Sequence, residues 1–266
     1  MAQVASRIPL IAGNWKMNLD HLQSIAFTQK LAWTLQDARH EFGPGGVEVA
    51  IFPPFTDLRS VQTLIAADRL DLVFGAQDVS EHDSGAYTGE ISGAFLKSLD
   101  CSYVLVGHSE RRTLHGETDE IVGRKVAAAL KHGLVPVLCV GESAEDLEKH
   151  GPSAVPVAQL RAALASVGSQ PNIVIAYEPV WAIGSGLAAT PDQAEQVAGV
   201  LRETLGELFG ADTAAATRVL YGGSVKSSNI ASLMREANID GALVGGASLD
   251  VTEFSSIARF RKHVGT

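Results

Sequence analysis

Two short glycine turns near the C-terminus are the first residues from which chemistry can be read. Tyr221-Gly222-Gly223-Ser224-Val225 follows one apolar run, and Val244-Gly245-Gly246-Ala247-Ser248 follows the next. Turns taken straight off strand ends expose several backbone N–H groups to one oxyanion. Two in succession suggest a phosphate seat built by adjacent β-to-α connections. A phosphorylated substrate is the first expectation.

Four polar residues end other apolar runs: Asn14, Lys16, His108 and Glu178. A lone glutamate there reads as a helix cap or a salt bridge, since an unpaired carboxylate at the end of an apolar strand is costly. Glu178, however, stands just before Pro179-Val180-Trp181-Ala182-Ile183-Gly184-Ser185-Gly186, apolar side chains held between a proline and small residues. Such a segment suits a lid; the alternative is an ordinary loop with an anchoring tryptophan. Closure would expel water and strengthen Glu178 as a base towards a C–H proton. His108 alone would read as structural. Its place after Val104-Leu105-Val106-Gly107, with no Cys or His at metal-ligand spacing, favours a neutral imidazole donor. Ser109 and Glu110 would hold neighbouring groups in register, and Arg111 and Arg112 read equally as ion-paired or interface groups. Lys16 offers positive charge to a phosphate and a developing oxyanion, with Asn14 beside it; alone it is a solvated lysine. Gln77-Asp78 is a further polar pair without an assigned purpose. Base, imidazole and cation together suit proton abstraction beside a carbonyl through an enediolate. Nothing calls for a redox cofactor or a metal, so isomerisation is the economical reading.

These residues need a frame that gathers strand ends. Short apolar runs recur at residues 9–13, 47–52, 72–75, 103–107, 134–140, 173–177, 218–221 and 241–244. They are continuously apolar rather than alternating, as in strands buried on both faces. Between them lie segments of helical period, at 20–39 (with Leu22, Ile25, Phe27, Leu31 and Leu35 along one stripe), 117–132, 191–209, 225–237 and 253–260. Thr190 is a plausible N-cap with Pro191 at the first helical position. Residues 141–155 form the longest polar connection and predict a short surface helix. Eight such units in 266 residues fit a single-domain α/β fold, a closed (β/α)8 barrel, in which residues after strand ends meet at one rim. A doubly wound open sheet is the rival, but no GxGxxG turn follows the first run.

Composition sets the bounds. The chain is 46% hydrophobic with 26 glycines, which argues against disorder. Its charge is −9, from 30 acidic and 21 basic side chains, without a basic tract, so a nucleic-acid partner is not expected. The two cysteines, Cys101 and Cys139, form no metal or redox motif. Residues 1–13 lack the pattern of a secretory leader and no run reaches membrane-spanning length, so a cytoplasmic protein with no membrane partner is expected.

With these residues in view, the chain resembles the triosephosphate isomerase family. The likeness runs from Ala12-Gly13-Asn14-Trp15-Lys16-Met17-Asn18 through Gly107-His108-Ser109-Glu110-Arg111-Arg112 and Ala176-Tyr177-Glu178-Pro179-Val180-Trp181-Ala182-Ile183-Gly184 to Gly245-Gly246-Ala247-Ser248-Leu249. It implies one barrel domain over residues 1–266. The implied reaction is interconversion of dihydroxyacetone phosphate and D-glyceraldehyde 3-phosphate in glycolysis, gluconeogenesis and the pentose shunt, with no cofactor. Glu178, His108 and Lys16 would be catalytic. Asn14, Lys16, Gly184, Ser224, Gly245 and Gly246 would bind substrate, supported by Ser109, Glu110 and Cys139. Pro179, Val180, Trp181, Ala182, Ile183, Gly184, Ser185, Gly186 and Leu187 would form the lid. The resemblance further implies a homodimer in which residues 83–90 insert near the partner's copy of residue 16, with Met17, Gln77 and Thr88 at the contact. Two positions depart from the family pattern. Leu187 stands where a lysine is common, and Asp78 where asparagine commonly follows the glutamine. Two other readings stay open: an isomerase for a four-carbon sugar phosphate, and a non-catalytic phosphoanion-binding barrel.

Overall fold

The structure, a computed structural model, describes residues 7–169, 171–183 and 187–262. Eight strands occupy the predicted places: β1 (Leu10–Asn14), β2 (Glu48–Phe52), β3 (Val73–Ala76), β4 (Tyr103–Val106), β5 (Val135–Val140), β6 (Val174–Tyr177), β7 (Arg218–Tyr221) and β8 (Gly241–Val244). They pair in parallel and in chain order, and β8 returns to β1, with Leu10 opposite Gly241, to close a single-domain (β/α)8 barrel. The open-sheet rival is excluded by that last pairing.

The continuous apolar runs follow from the two-residue period of a strand, whose successive side chains face opposite ways. Leu10, Ala12, Ala50, Phe52, Leu105, Val137, Cys139, Val174, Ala176, Leu220 and Leu243 fill the barrel interior. The alternate residues, such as Ile11, Val49, Ile51, Val104, Leu138, Ile175 and Val219, pack outward on helix residues that include Leu31, Val126 and Leu201. At the N-terminal mouth a polar knot closes the axis. Arg218 Nη1 lies 2.5 Å from Glu48 Oε2, Arg218 Nη2 lies 2.6 Å from Tyr103 Oη, and Tyr103 Oη donates to Glu48 at 2.9 Å. Burial pushes the Tyr103 phenol up to about 12, so it keeps the proton it donates.

Helix boundaries follow their caps. Asp20 accepts from the Gln23 N–H in a full capping box and starts His21–Asp37; Thr190 does the same with Gln193, with Pro191 at the first position. Ser143 caps the short helix Ala144–His150 inside the long polar connection. Three expectations are corrected. Leu22 lies off the buried stripe, 65% exposed, in the first turn of its helix, while Phe27, Leu31 and Leu35 are buried. Within residues 225–237 only Ile230–Leu233 is helical. The Asn229 side chain accepts from Lys226 N–H and donates to Ser224 O, locking the preceding residues as a turn. The last helix, Val251–Ala258, starts two residues earlier than expected because Asp250 caps it. No helix among the described residues is long and apolar enough to cross a membrane.

Candidate active site

Glu178 directly follows β6 and is buried at 2% exposure. Its backbone N–H continues the ladder to Val140 O at 2.8 Å, which aims the side chain across the rim. Oε2 accepts from Ser109 N–H at 2.9 Å, and Oε1 lies 3.0 Å from His108 Nε2. A buried carboxylate without partners would cost several kcal/mol; two hydrogen bonds to an ion, about 1.5–3 kcal/mol each, offset that cost. His108 is the N-cap of Ser109–His115, and its Nδ1 accepts from Glu110 N–H at 3.2 Å. An accepting Nδ1 carries no proton, so Nε2 bears the N–H and donates to Glu178. Cys139, fully buried in β5, packs against the same carboxylate. Burial first, and Glu178 second, push its thiol well above the usual range, so it stays protonated.

Lys16 lies across the cleft in a left-handed backbone conformation with φ of 55°. That conformation is unfavourable for a side-chain-bearing residue and needs outside support. Lys16 N–H donates to Asn14 Oδ1 at 3.0 Å, and Gln77 Nε2 donates to Lys16 O at 2.7 Å and to Phe52 O at 2.8 Å. Its ammonium pairs with Glu110, which projects from the helix that His108 starts. The purpose of Gln77 is therefore visible, and so is that of its neighbour. Asp78 holds Lys125 at 2.7 Å and Arg111 at 3.0 Å, and both cations also meet Glu117. Burial raises the Asp78 carboxyl, with Lys125 and Arg111 opposing. Arg112 pairs with Asp119, so both arginines of the motif are ion-paired.

The glycine turns complete the same cleft, of about 560 Å³, whose lining includes Asn14, Lys16, His108, Glu178, Ser224 and Gly245. Gly246 lines it as well, and Gly222 is obligatory there: a Cβ would stand 2.9 Å from Glu178 Cγ and 3.1 Å from Tyr177 O. Among the described residues, the N–H groups of Gly223 and Ser224 donate to no protein acceptor. They remain available to an anion. The segment expected to be a lid begins with Pro179, followed by a single turn, Val180–Ala182; Val180 and Ile183 line the cleft. Gly184, Ser185 and Gly186 lie outside the described residues, and Leu187 is 59% exposed. Met17 and Thr88 are exposed on neighbouring connections, away from the cleft lining.

One charged residue beside the site escaped sequence reasoning. Glu142 is fully buried, and its Oε1 accepts from Trp181 Nε1 at 2.7 Å and from Tyr177 Oη at 2.9 Å. Its backbone carbonyl takes Val180 N–H at 3.0 Å, so the segment Val180–Trp181 is tied to Glu142 through both main chain and side chain. Burial raises the Glu142 carboxyl, although the donors from Trp181 and Tyr177 oppose it. The signal was present: Glu142 stands just past the end of β5, a rim position like those of His108 and Glu178. Lys226, on the cleft wall beyond the first glycine turn, was also passed over.

Comparisons with known proteins point to one family. The family model described as triosephosphate isomerase matches residues 9–261. The chain is 71% identical over 258 residues to the triosephosphate isomerase of Leifsonia xyli subsp. xyli, covering 97% of this chain and 99% of that one. It is 55% identical over 260 residues to that of Streptomyces avermitilis, covering 97% and 99%. For that of Mycolicibacterium vanbaalenii the identity is 53% over 255 residues, covering 95% and 96%.

Proposed function

The chain belongs to the triosephosphate isomerase family, and from that premise we propose how its rim performs the reaction. The protein interconverts dihydroxyacetone phosphate and D-glyceraldehyde 3-phosphate, the aldose–ketose isomerisation of glycolysis. The substrate phosphate rests on backbone N–H groups of Ser224, Gly245, Gly246 and Gly184, with Asn14 and Lys16 on the other side of the triose. Glu178 exchanges its two present hydrogen bonds for the substrate, takes the proton from one carbon and returns it to the adjacent one. His108 Nε2–H, released from Glu178, donates to the substrate oxygens. Lys16 balances the charge of the enediolate. Ser109, Glu110 and Cys139 hold these groups in place. Residues 179–187 close over the intermediate and restrain loss of phosphate from it.

The observation that carries this reading is the convergence of His108 Nε2 and Ser109 N–H on one buried carboxylate, in the wall of the cleft that both glycine turns line. The test is an assay of purified protein in both directions, without added metal or nucleotide, with solvent-proton exchange followed in parallel. Turnover with exchange at the adjacent carbons is expected. A folded preparation inert towards both trioses would overturn the reading.

The same reading takes the protein as a cytoplasmic homodimer that serves gluconeogenesis and the pentose shunt as well. Support for the dimer comes from the surface. Met17, Phe55, Tyr87, Phe95 and Leu114 are large, apolar and exposed, and all sit on the connections that follow β1 to β4. Exposed apolar residues gathered in this way on one half of a rim mark a protein–protein contact. Thr88 and Gln77 lie within the same connections.

A further inference from the structure

The chain carries a net charge of −9, yet one hollow on it collects cations. A cavity of about 210 Å³ is lined by Arg39, His40, Glu41, Arg259, Arg261 and Lys262, among others. It lies where the chain leaves the helix His21–Asp37 to enter β2, against the segment after the last helix. In a parallel barrel the entrances of the strands are at the face opposite the catalytic rim. This hollow is therefore remote from the isomerase cleft.

Four permanent positive charges face one carboxylate there. Among the described residues, Arg39, Arg259, Arg261 and Lys262 form no ion pair with any acid. Three of them are instead fixed by carbonyl oxygens. Lys262 Nζ donates to Ala38 O at 2.7 Å, Arg259 Nε to Ser255 O at 3.1 Å, and Arg261 to Gly45 O. Helix capping explains part of this, since Ala38 is the C-cap of its helix. It leaves most of the donors unused, because an ammonium has three and a guanidinium five. Carbonyls also orient a cation without neutralising it. The result is a preorganised wall of charge, whose ordering cost is met before any ligand arrives.

His40 completes the wall. It is half-buried, with Nε2 3.0 Å from Val47 O and its ring edge-on to Phe42 at 4.5 Å. Burial, followed by the charges of Arg259, Lys262 and Arg261, holds it below the ordinary histidine value, against the Val47 hydrogen bond, which raises it. The charged groups facing it are thus Arg39, Arg259, Arg261 and Lys262, with Glu41 as the single acid. The hollow is smaller than the roughly 300–1,000 Å³ of pockets for drug-sized ligands, so its occupant is small.

We propose that this hollow is a second binding site, for a small phosphate-class oxyanion held by Arg39, Arg259, Arg261 and Lys262 on the face opposite the isomerase cleft. Binding tightens as pH falls through the His40 midpoint, because an anion favours the protonated ring.

The test follows the His40 ring by NMR in the full-length protein while inorganic phosphate replaces chloride at constant ionic strength. The isomerase cleft also takes phosphate, and His40 reports only the far hollow. Arms with inorganic pyrophosphate and with glycerol 3-phosphate separate a free ion from a phosphate ester. A saturable shift of the ring resonances is expected, with the His40 midpoint moving upward. In Arg259→Gln/Lys262→Gln the affinity falls by about tenfold or more, as loss of hydrogen bonds from charged groups requires, while kcat and KM stay unchanged. If that variant does not fold, Arg39→Gln serves, since the Arg39 side chain is exposed. A shift equal in phosphate and chloride means screening alone and overturns the proposal, as does phosphate binding that survives the substitutions.

Discussion

At the scale of single residues, Glu178 and Glu142 are two buried carboxylates with different tasks. Both Glu178 oxygens accept from N–H groups at the wall of the cleft that Glu178 lines. Glu178→Gln keeps the size and loses the base, so kcat should fall by about 10²–10⁴ with thermal stability preserved. A steady-state assay beside a melting curve checks this, and a kcat within twofold of the parent would remove the role. Glu142 holds Trp181 and is absent from the cleft lining. Its folded-state value is raised above the reference 4.5. Below that reference it is neutral folded or unfolded, and the stabilisation it gives is fully present. As pH rises through the raised folded midpoint, the fold must hold a buried charge and that stabilisation is lost. The Tm difference between the parent and Glu142→Gln should therefore drift against the parent across this window. A difference constant with pH would mean that the carboxyl does not titrate there.

At the scale of elements, the strands and caps were legible because they depend on local rules. A two-sided burial pattern makes apolar runs, and Asp20, Thr190 and Pro191 announce helix starts by their own chemistry. What stayed hidden depends on partners distant in sequence. Asn229 converts a helix-like stretch into a turn by bonding Ser224 and Lys226, and no periodicity reports that. Glu142 reads as an ordinary polar loop residue until β6 delivers Tyr177 and Trp181 to it. Gln77 likewise gains its purpose only when β1 and β3 place the strained Lys16 within its reach. The glycine turns were readable as turns off strand ends, but the need for Gly222 is steric: Glu178 crosses where its Cβ would be. Gly222→Ala should displace the base and lower kcat by about tenfold or more, as a misplaced catalytic group does, with a smaller change in KM. Equal loss in both, or none, would contradict that account.

At the scale of the whole molecule, one half of the barrel rim carries exposed apolar side chains, with Met17 at 95% exposure. If that half holds the dimer contact, Met17→Glu should shift sedimentation towards the protomer mass, and activity per protomer should fall on dilution. An unchanged sedimentation coefficient at micromolar concentration would place the contact elsewhere. The opposite end of the barrel imposes a different condition. Glu48, Tyr103 and Arg218 knot the axis at that end, and packed side chains fill the interior between it and the cleft. A hydrogen lifted from the triose therefore has no rear exit. If residues 179–187 close over the cleft as proposed, it trades with the surrounding water only while they stand ajar, so the isotope content of product records how long each catalytic visit was sealed.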